Sequence, residues 1–376
     1  MQLFEFTSHS FRNLSPDPVS FGAGITLITG ENAQGKTNLL EAVSLLCGQR
    51  SFRGAISGDM AQGGERFAIE GMIEGRRGSE RIAVTWSRED GRAFSRAGKP
   101  AGFREISQLA PAVFLAPEHQ ELITGSASAR RRFLDRLVLG LKPAAGDDLV
   151  RYAAALRERN ALLARLKSGA ADSAGELEAW TEELVVAGSA VRRHRIAALV
   201  CWGRDFRELS RGAGGDYADI EVAYTGGDGS AEEMRRACER VAALEHRRGY
   251  TLVGPHRDDL VWKRRGRALA TEASSGEVAR TVALAKLAEW KTVAKAAEEL
   301  PLFGADDFDA GLSEASVEEF FETLPPDASV LLTSAAPAAR WSRKATAVLE
   351  VRGGAVVGGV AAPRALHAVG TGQAVR

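Results

Sequence analysis

The sequence lacks the features that carry a protein into a membrane or out of the cell. Nowhere do about eighteen apolar residues run together, which is the length that a membrane-spanning helix needs. Residues 1–6 lack the basic start and following apolar stretch of a secretory signal. We therefore expect a cytoplasmic protein with no membrane partner.

Cysteine is also scarce, with Cys47, Cys201 and Cys238 as the only three in the chain. They are far apart, show no C-x-x-C spacing and have no histidine at metal-ligand distance in the sequence. This pattern argues against a cysteine-based metal site. We expect the three thiols to stay reduced and to pack as small hydrophobic side chains.

The chain carries no excess of charge of either sign. Its 376 residues include 49 lysines and arginines and 49 aspartates and glutamates. No bulk electrostatic field therefore attracts it to DNA or to an anionic membrane, and any contact with nucleic acid must come from local clusters. The hydrophobic fraction of 45% allows a large core, and the length predicts two lobes or domains.

The most informative segment is a glycine-rich stretch that reads GENAQGKTN and fits the pattern G-x-x-x-x-G-K-[ST]. In such a loop, backbone N–H groups surround phosphates, the lysine reaches the β- and γ-phosphates, and the hydroxyl ligates Mg²⁺. A strand-like run precedes the segment and a helical pattern follows it, which favours this interpretation over a plain turn. The residues that we predict to bind the nucleotide are Gly30, Glu31, Asn32, Ala33, Gln34, Gly35, Lys36, Thr37 and Asn38.

Strand patterns dominate the first hundred or so residues, and helical patterns dominate the middle of the chain. The change occurs at about Ser126, and a strand pattern returns at residues 220–224. The segments with helical spacing are 130–141, 149–166, 176–200 and 231–248. A helical block therefore interrupts a β-containing core that surrounds the phosphate-binding loop.

A short apolar run at residues 301–305 ends in two acids, Asp306 and Asp307. An acid at the end of a strand beside the loop can hold Mg²⁺, which suits Asp306, and the next carboxylate can orient or deprotonate the attacking water. Gly304 and Ala305 weaken the apolar strand pattern before the acids. A solvated turn is the alternative interpretation.

The segment with Ser274, Gly276 and Glu277 precedes an amphipathic helix predicted over residues 278–290. A hydroxyl, free N–H groups and the positive end of the helix dipole together form a second phosphate-binding device. The alternative is a capping box, in which Ser274 caps the helix and needs no ligand.

These motifs resemble the ABC-type ATPase heads of SMC-like proteins, and several longer stretches resemble the RecF family of bacterial recombination mediators. The stretches are GENAQGKTNLLEA at 30–42, GSASARRRFLDRL within 114–137, YAAALRERNALL at 152–163 and LVGPHRDDL at 252–260. The similarity extends over nearly the whole chain. It implies an α/β fold with an ABC-type P-loop ATPase head, formed by residues 1–115 and 255–376, and a mostly helical inserted lobe at 116–254.

The resemblance implies that two copies dimerise on ATP, with Ser274, Gly276 and Glu277 of one copy facing the phosphate-binding loop of the other. It assigns weak, DNA-stimulated ATP hydrolysis to Lys36, Asp306 and Asp307, with Mg²⁺ held by Thr37 and Asp306. It also implies binding of single-stranded and gapped duplex DNA, cooperation with RecR- and RecO-type mediators in recombinase loading, and roles in replication and the SOS response. The alternatives are an ABC-type transporter subunit, an SMC-like structural head and a P-loop small-molecule kinase.

Several positions depart from the family pattern. Ala33 replaces a frequent glycine, which is tolerable if its φ is negative, and Ser313 stands where an aspartate is usual. Glu118 has two interpretations: its carboxylate approaches the metal, or the residue lies in a surface loop. Thr333 and Ser334 either meet the γ-phosphate or cap a strand end.

Basic clusters offer candidate DNA contacts, with an ordinary solvated surface as the alternative for each of them. The clusters lie at residues 130–136, 192–195 and 263–267. The run GPHRDD at residues 254–259 has a different character, because apolar residues flank it. We predict that His256, Arg257 and Asp258 are structural or interfacial near the nucleotide, and do not form a catalytic triad.

Overall fold

The structure is a computed structural model that describes residues 1–169, 174–336 and 340–359. The strands are β1 (Gln2–His9), β2 (Val19–Ser20), β3 (Ile25–Thr29), β4 (Arg66–Gly75), β5 (Gly78–Ser87), β6 (Gly91–Arg96), β7 (Lys99–Ala101), β8 (Ala112–Leu115), β9 (Ile220–Tyr224), β10 (Leu260–Arg264), β11 (Arg267–Ala268), β12 (Leu302–Ala305), β13 (Val330–Thr333), β14 (Ala347–Arg352) and β15 (Ala355–Gly359). The helices are α1 (Lys36–Leu46), α2 (Ser57–Met60), α3 (Phe103–Leu109), α4 (Glu121–Thr124), α5 (Ala127–Leu141), α6 (Gly146–Lys167), α7 (Ala174–Ala213), α8 (Ala231–Arg248), α9 (Leu269–Glu272), α10 (Ser275–Ala297) and α11 (Glu314–Glu322).

A six-stranded sheet with the order β15-β14-β3-β13-β12-β8 forms the centre of the molecule. All neighbours from β14 to β8 are parallel, and only β15 runs antiparallel. Strands β8, β12 and β13 are buried along their whole length, as expected for a parallel sheet that is covered on both faces. The carboxyl ends of β3, β12 and β13 therefore meet at one edge of the sheet.

Strand β12 forms despite Gly304, which weakens its sequence pattern. A Cβ atom at this position would lie 2.4 Å from the Phe114 ring and 3.0 Å from Leu40. The absence of a side chain at Gly304 therefore leaves room for the Phe114 ring and for Leu40 of helix α1 to pack on the sheet. Close packing therefore explains why this strand contains a glycine, although glycine weakens the strand pattern in the sequence.

A second, antiparallel sheet has the order β2-β1-β4-β5-β6-β7, and helix α1 lies against it. Strand β4 alternates buried and less buried residues, which is the pattern of a sheet with one face on a core. Leu40 of α1, Phe67 of β4 and Leu331 of β13 belong to one buried cluster. Helix α1 is thus enclosed between the two sheets, and this packing fixes its N-terminus at the edge of the central sheet.

Helices α5, α6, α7 and α8 form the helical part of the chain. Helix α7 has 40 residues and is therefore about 60 Å long. It is longer than the predicted segment 176–200, and α10 likewise exceeds the predicted segment 278–290. A continuous core joins Trp202 of α7 to Trp262 of β10 and to Phe303 of β12, so the helical part packs directly on the ATPase core.

The predicted division into 1–115 plus 255–376 and 116–254 stays a prediction. Strand β9, within the predicted helical lobe, pairs with β10 of the predicted core over residues 220–224 and 260–264. Residues 170–173 of the predicted interhelical turn, and residues 337–339 and 360–376 of the predicted core, lie outside the described residues. In the segments that the structure describes, no helix has the length and apolar character needed to cross a membrane.

The basic cluster at residues 192–195 is mostly buried, so neither of its two interpretations from sequence is correct for Arg192 and Arg195. The Arg192 guanidinium donates to both carboxylate oxygens of Asp258, at 2.8 and 3.1 Å. Arg195 donates to Asp135 at 2.8 and 3.1 Å and to the Pro255 carbonyl at 2.8 Å. Burial removes these side chains from solvent, and the acids balance their charge.

The run GPHRDD contributes to the same network. Asp258 is buried and also accepts a hydrogen bond from Tyr224, and the His256 ring hydrogen-bonds the Tyr152 hydroxyl at 2.6 Å. Asp259 forms an ion pair with Arg130 at 2.6 Å. These contacts join the segment to the helical part, which agrees with a structural role, and among the described residues no hydrogen bond joins it to residues 30–38.

Candidate functional site

The phosphate-binding loop follows β3 and ends at the start of α1. The side chain of Lys36 is only 4% exposed, and its Nζ donates to the carbonyl oxygens of Gly30 at 2.8 Å and Glu31 at 3.0 Å. These contacts bend the loop around the ammonium group. Gly35 has a φ of 116°, in the left-handed region that favours glycine, so the loop turns sharply just before the helix begins.

Asp306 lies directly after β12 and faces the start of α1. Its Oδ1 accepts hydrogen bonds from the Thr37 hydroxyl at 3.0 Å and from the Thr333 hydroxyl at 2.7 Å. Burial raises the pKa of Asp306 to about 6, because the charged form loses its hydration. The structure thus brings together both predicted metal ligands, the hydroxyl of Thr37 and the carboxylate of Asp306, which are the kind of oxygen ligand that Mg²⁺ prefers. The donor set fits the ion.

The raised pKa of Asp306 predicts a pH-dependent metal requirement. A carboxyl group with a pKa of about 6 is charged at pH 7.5 but mostly protonated at about pH 5, and only the charged form ligates Mg²⁺. We expect Mg²⁺-dependent ATP affinity, measured by titration of a fluorescent nucleotide, to fall about tenfold between those pH values. Affinity measured in EDTA should change much less. Asp306→Asn should bind weakly at all pH values, and an unchanged pH dependence in that variant would assign it to another group.

Asp307 lies beside Lys36 and Asp306. Its backbone N–H donates to the Thr333 hydroxyl at 2.8 Å, and its φ of 43° is unusual for a residue other than glycine. Burial raises the pKa of Asp307, while the positive charge of Lys36 lowers it. Within the described residues, no side chain hydrogen-bonds its carboxylate. The group is therefore free to accept a proton or a hydrogen bond from water.

Four further side chains that the sequence singled out lie near the acids or in the segments around them. Glu118 is exposed in the turn after β8, and its negative charge adds to the effects that raise the pKa of Asp306. Thr333 bonds both acids, as described above. Ser334 donates to Asp309 at 2.9 and 3.0 Å and so belongs to the segment after the acids. Ser313, which replaces the usual aspartate, caps α11 by accepting from Ser316 N–H at 3.2 Å.

Sequence reasoning missed the residues that hold the phosphate-binding loop from outside. Gln34 receives two hydrogen bonds from the turn between β14 and β15, from Gly353 N–H to its side chain and from Gly354 N–H to its carbonyl, both at 2.7 Å. Asn13 lies against Gly35 and accepts a 2.7 Å hydrogen bond from Asn38. Any Cβ at residue 354 would lie 1.7 Å from the Asn13 carbonyl oxygen, so only glycine fits. The sequence signal that could have indicated this contact is the glycine pair at residues 353–354, directly before strand β15.

Ala33 adopts a φ of 64°, so the expectation that it is tolerated through a negative φ is wrong. A left-handed conformation costs an alanine about 1 kcal/mol that glycine does not incur. We expect Ala33→Gly to raise the thermal unfolding midpoint by about 1–2 °C without nucleotide, because part of the gain is offset in the unfolded chain. Ala161→Gly, at an exposed position inside α6, should instead lower it. If Ala33→Gly lost stability, the left-handed backbone conformation of Ala33 would not be strained.

Ser274, Gly276 and Glu277 lie at the start of α10, where Ser274 and Glu277 form the capping box that the alternative interpretation predicted. Ser274 Oγ accepts from Glu277 N–H at 3.3 Å, and Ser274 N–H donates to Glu277 Oε2 at 2.8 Å. An Arg264 guanidinium holds the pKa of Glu277 down, to about 2. In the described chain no hydrogen bond connects this segment to residues 30–38. Ser274 remains exposed, and the helix N-terminus faces outward.

Comparisons with known proteins agree with this geometry. A family model described as "AAA domain" matches residues 3–133. The DNA replication and repair protein RecF of Heliobacterium modesticaldum is 34% identical over 325 residues, which cover 82% of this chain and 85% of the relative. The chain belongs to the RecF family. RecF of Geobacillus thermodenitrificans is 32% identical over 350 residues, covering 87% and 90% of the two chains.

Solved structures confirm the ABC-type ATPase head fold. The recombination mediator protein RecF-ATP superimposes with a TM-score of 0.85 at 24% identity and covers 94% of this chain and 96% of that one. An Smc head bound to the C-winged helix domain of ScpA gives a TM-score of 0.53 at 13% identity, with 94% and 95% covered. The resemblance to RecF and the α/β prediction are both confirmed.

Proposed function

We propose that this RecF family member is an ATP-dependent DNA-binding protein of replication and recombinational repair, acting in the cytoplasm as a homodimer that closes on ATP. The observation that carries the proposal is the separation of the two segments that we predict to bind phosphate. Within the described chain, no hydrogen bond joins the loop with Lys36 to the exposed helix start at Ser274. Each is complete as local structure but presents only part of a phosphate site. A second copy supplies the missing half.

The part of the proposal that concerns ATP binding rests on the hydrogen bonds of Lys36. The two carbonyl oxygens that hold its amine leave the amine with unused hydrogen-bonding capacity, because an ammonium group has three donors. The backbone of residues 30–35 and the start of α1 offer N–H groups to the β- and γ-phosphates. Thr37 and Asp306 would hold Mg²⁺, which when bound neutralises phosphate charge.

The chemical step is assigned to Asp307. Its carboxylate accepts no side-chain hydrogen bond in the described residues, and the charge of Lys36 acts on it, so we propose that it orients a water molecule and takes its proton. From the family resemblance, we propose that this hydrolysis is weak and that DNA stimulates it. Hydrolysis then separates the two copies and releases DNA.

Asp307→Asn is expected to lower the steady-state rate of ATP hydrolysis about a hundredfold, because an amide cannot accept the proton. ATP binding should persist, so that the ATP-bound dimer lives longer on a sizing column. Asp309→Asn offers a nearby control, since Asp309 bonds Ser334 and Trp341 rather than facing Lys36. Equal hydrolysis by wild type and Asp307→Asn would remove Asp307 from the chemistry.

The biological setting is proposed from the family. Relatives carry the description "DNA replication and repair protein", and the RecF-ATP structure is described within the RecFOR pathway. We propose that the dimer binds single-stranded and gapped duplex DNA, and that RecR- and RecO-type mediators join it to load recombinase.

Fluorescence anisotropy of a labelled gapped duplex tests the proposal. The chain is titrated into the DNA with Mg²⁺ and ATP, with ADP, or without nucleotide. We expect tight binding with ATP only. Equal affinity under all three conditions, with nucleotide binding verified separately, would overturn the ATP-gated function.

A further inference from the structure

The loop at residues 49–57, which leads from α1 to the first residue of α2, carries positive charge that forms no ion pair with an acid of the described segments. Arg50 and Arg53 are exposed, and Arg92 of β6 reaches into the loop from below, where it donates to the Gln49 carbonyl and the Ser57 hydroxyl, both at 3.4 Å. In the segments that the structure describes, none of the three arginines forms an ion pair. We refer to residues 49–57 together with Arg92 as the arginine loop.

The arginine loop contrasts with the basic clusters that the sequence made conspicuous. In the hairpin at residues 263–267, Arg264 pairs with Glu277, and Arg265 pairs with Asp216 and Asp219. In the arginine loop, by contrast, the positive charge of Arg50 adds to burial in lowering the pKa of Arg92. The Nε of Arg92 is buried and has no hydrogen-bond partner among the described residues. Uncompensated positive charge of this kind fits an anionic ligand from outside.

An apolar side chain stands beside these charges. Ile56 is 69% exposed, among the most exposed large hydrophobic residues that the structure describes. Phe52 is buried at the other end of the loop and stacks with Phe114, so the loop is anchored in the core. Arginines with an exposed aliphatic residue in the same loop match the two surfaces of a nucleic acid, its phosphates and its bases.

The loop is also joined to the nucleotide site. Arg53 donates to the Asn38 side chain at 3.1 Å, and Asn38 directly follows the predicted Mg²⁺ ligand Thr37. Ser51 donates to the buried Glu41 of α1, which forms a 2.9 Å ion pair with Arg12. A shift of the loop therefore moves groups on the first turns of α1, where the phosphates would bind.

We propose that the arginine loop is a nucleic-acid contact of this protein, in which Arg50 and Arg53 bind the phosphodiester backbone and Ile56 packs on a base or sugar. The proposal rests on the proposed ATP-gated DNA binding and adds the surface that performs it. Arg92 holds the loop in place and adds charge beneath it. Through Asn38 and Glu41, the same loop transmits nucleotide occupancy to the DNA surface.

The double variant Arg50→Ala/Arg53→Ala tests the proposal with a labelled gapped duplex in the presence of ATP and Mg²⁺. A control variant, Arg204→Ala/Arg207→Ala, removes two exposed arginines of α7 that likewise form no ion pair in the described chain. Both variants change the net charge equally. Affinity is measured by anisotropy at several salt concentrations between about 50 and about 200 mM, because each lost phosphate contact lowers the salt slope by about one.

We expect Arg50→Ala/Arg53→Ala to bind the DNA about tenfold more weakly and to lose about two units of salt slope. The control should keep both values. Ile56→Glu provides a second test that leaves every hydrogen bond of the loop in place, and it should also weaken binding. Thermal unfolding and nucleotide titration of each variant show whether folding and ATP binding persist.

Two results separate the possible failures. If both loop variants kept the wild-type affinity and salt slope, the arginine loop would not be a DNA contact. Its positive charge would then fit an acidic protein partner instead. A wild-type chain that binds ATP but shows no ATP-dependent DNA binding would instead overturn the proposed function on which the inference rests.

Discussion

Replacing Lys36 with alanine is expected to weaken ATP binding about a thousandfold. The ammonium group is buried at the start of α1, and bound phosphates would accept charge-assisted hydrogen bonds from it. Two such bonds contribute about 4 kcal/mol, which corresponds to about three orders of magnitude in affinity. Because the dimer closes on ATP, the same variant should remain monomeric at ATP concentrations that dimerise the wild type.

Isothermal titration with a slowly hydrolysed ATP analogue measures this loss. Lys99→Ala is the matched control. Lys99 is exposed on β7, far along the chain from the loop, and its substitution removes the same positive charge. The control should bind like wild type. If Lys36→Ala bound ATP within a few-fold of wild type, the loop at residues 30–38 would not be the nucleotide site.

Replacing Ser274 with glutamate is expected to abolish ATP-dependent dimerisation while each monomer keeps its phosphate-binding loop. In the proposed dimer this exposed side chain faces the γ-phosphate bound to the other copy. A carboxylate opposite a phosphate costs several kcal/mol, so the dimer dissociation constant should rise at least about a thousandfold. ATP should still bind the monomer through Lys36 and Thr37, with lower affinity because the second half of the site is missing.

Ser230→Glu controls for damage to a helix cap. Ser230 caps α8 as Ser274 caps α10, and each hydroxyl accepts a hydrogen bond from the backbone N–H three residues later. Both substitutions alter an N-cap by the same chemistry, with a change in stability of about 1 kcal/mol. Only Ser274→Glu should lose the dimer. Equal dimerisation of the two variants would restrict Ser274 to its capping role.

The local parts of the candidate site could be predicted from the sequence because their chemistry is encoded within a few residues. The loop before α1 is recognisable from its glycines and lysine, and Asp306 from its place after an apolar run. Parallel strands β3 and β12 then bring both to one edge of the sheet. The hydroxyl of Thr333 could be located only near a strand end, and its bonds to both acids needed the structure.

Contacts between distant segments could not be read from local patterns. Asn13 and the glycine turn at residues 353–354 hold the loop from opposite ends of the chain. The sequence predicts exposed arginines at 192 and 195 because they lie in a basic cluster, but Asp258 and Asp135 neutralise them in the interior. Conversely, no sequence pattern marks Arg50 and Arg53, and the contact of Arg53 with Asn38 and the closeness of Arg50 to Arg92 needed the structure.

The most direct test of the central claim is the mass of the chain in solution, measured by light scattering at saturating ATP and Mg²⁺. We predict that the 40.1 kDa chain doubles its mass with ATP and returns to the monomer mass with ADP. A mass that stays at 40.1 kDa while ATP is bound would contradict a nucleotide site completed by a second copy.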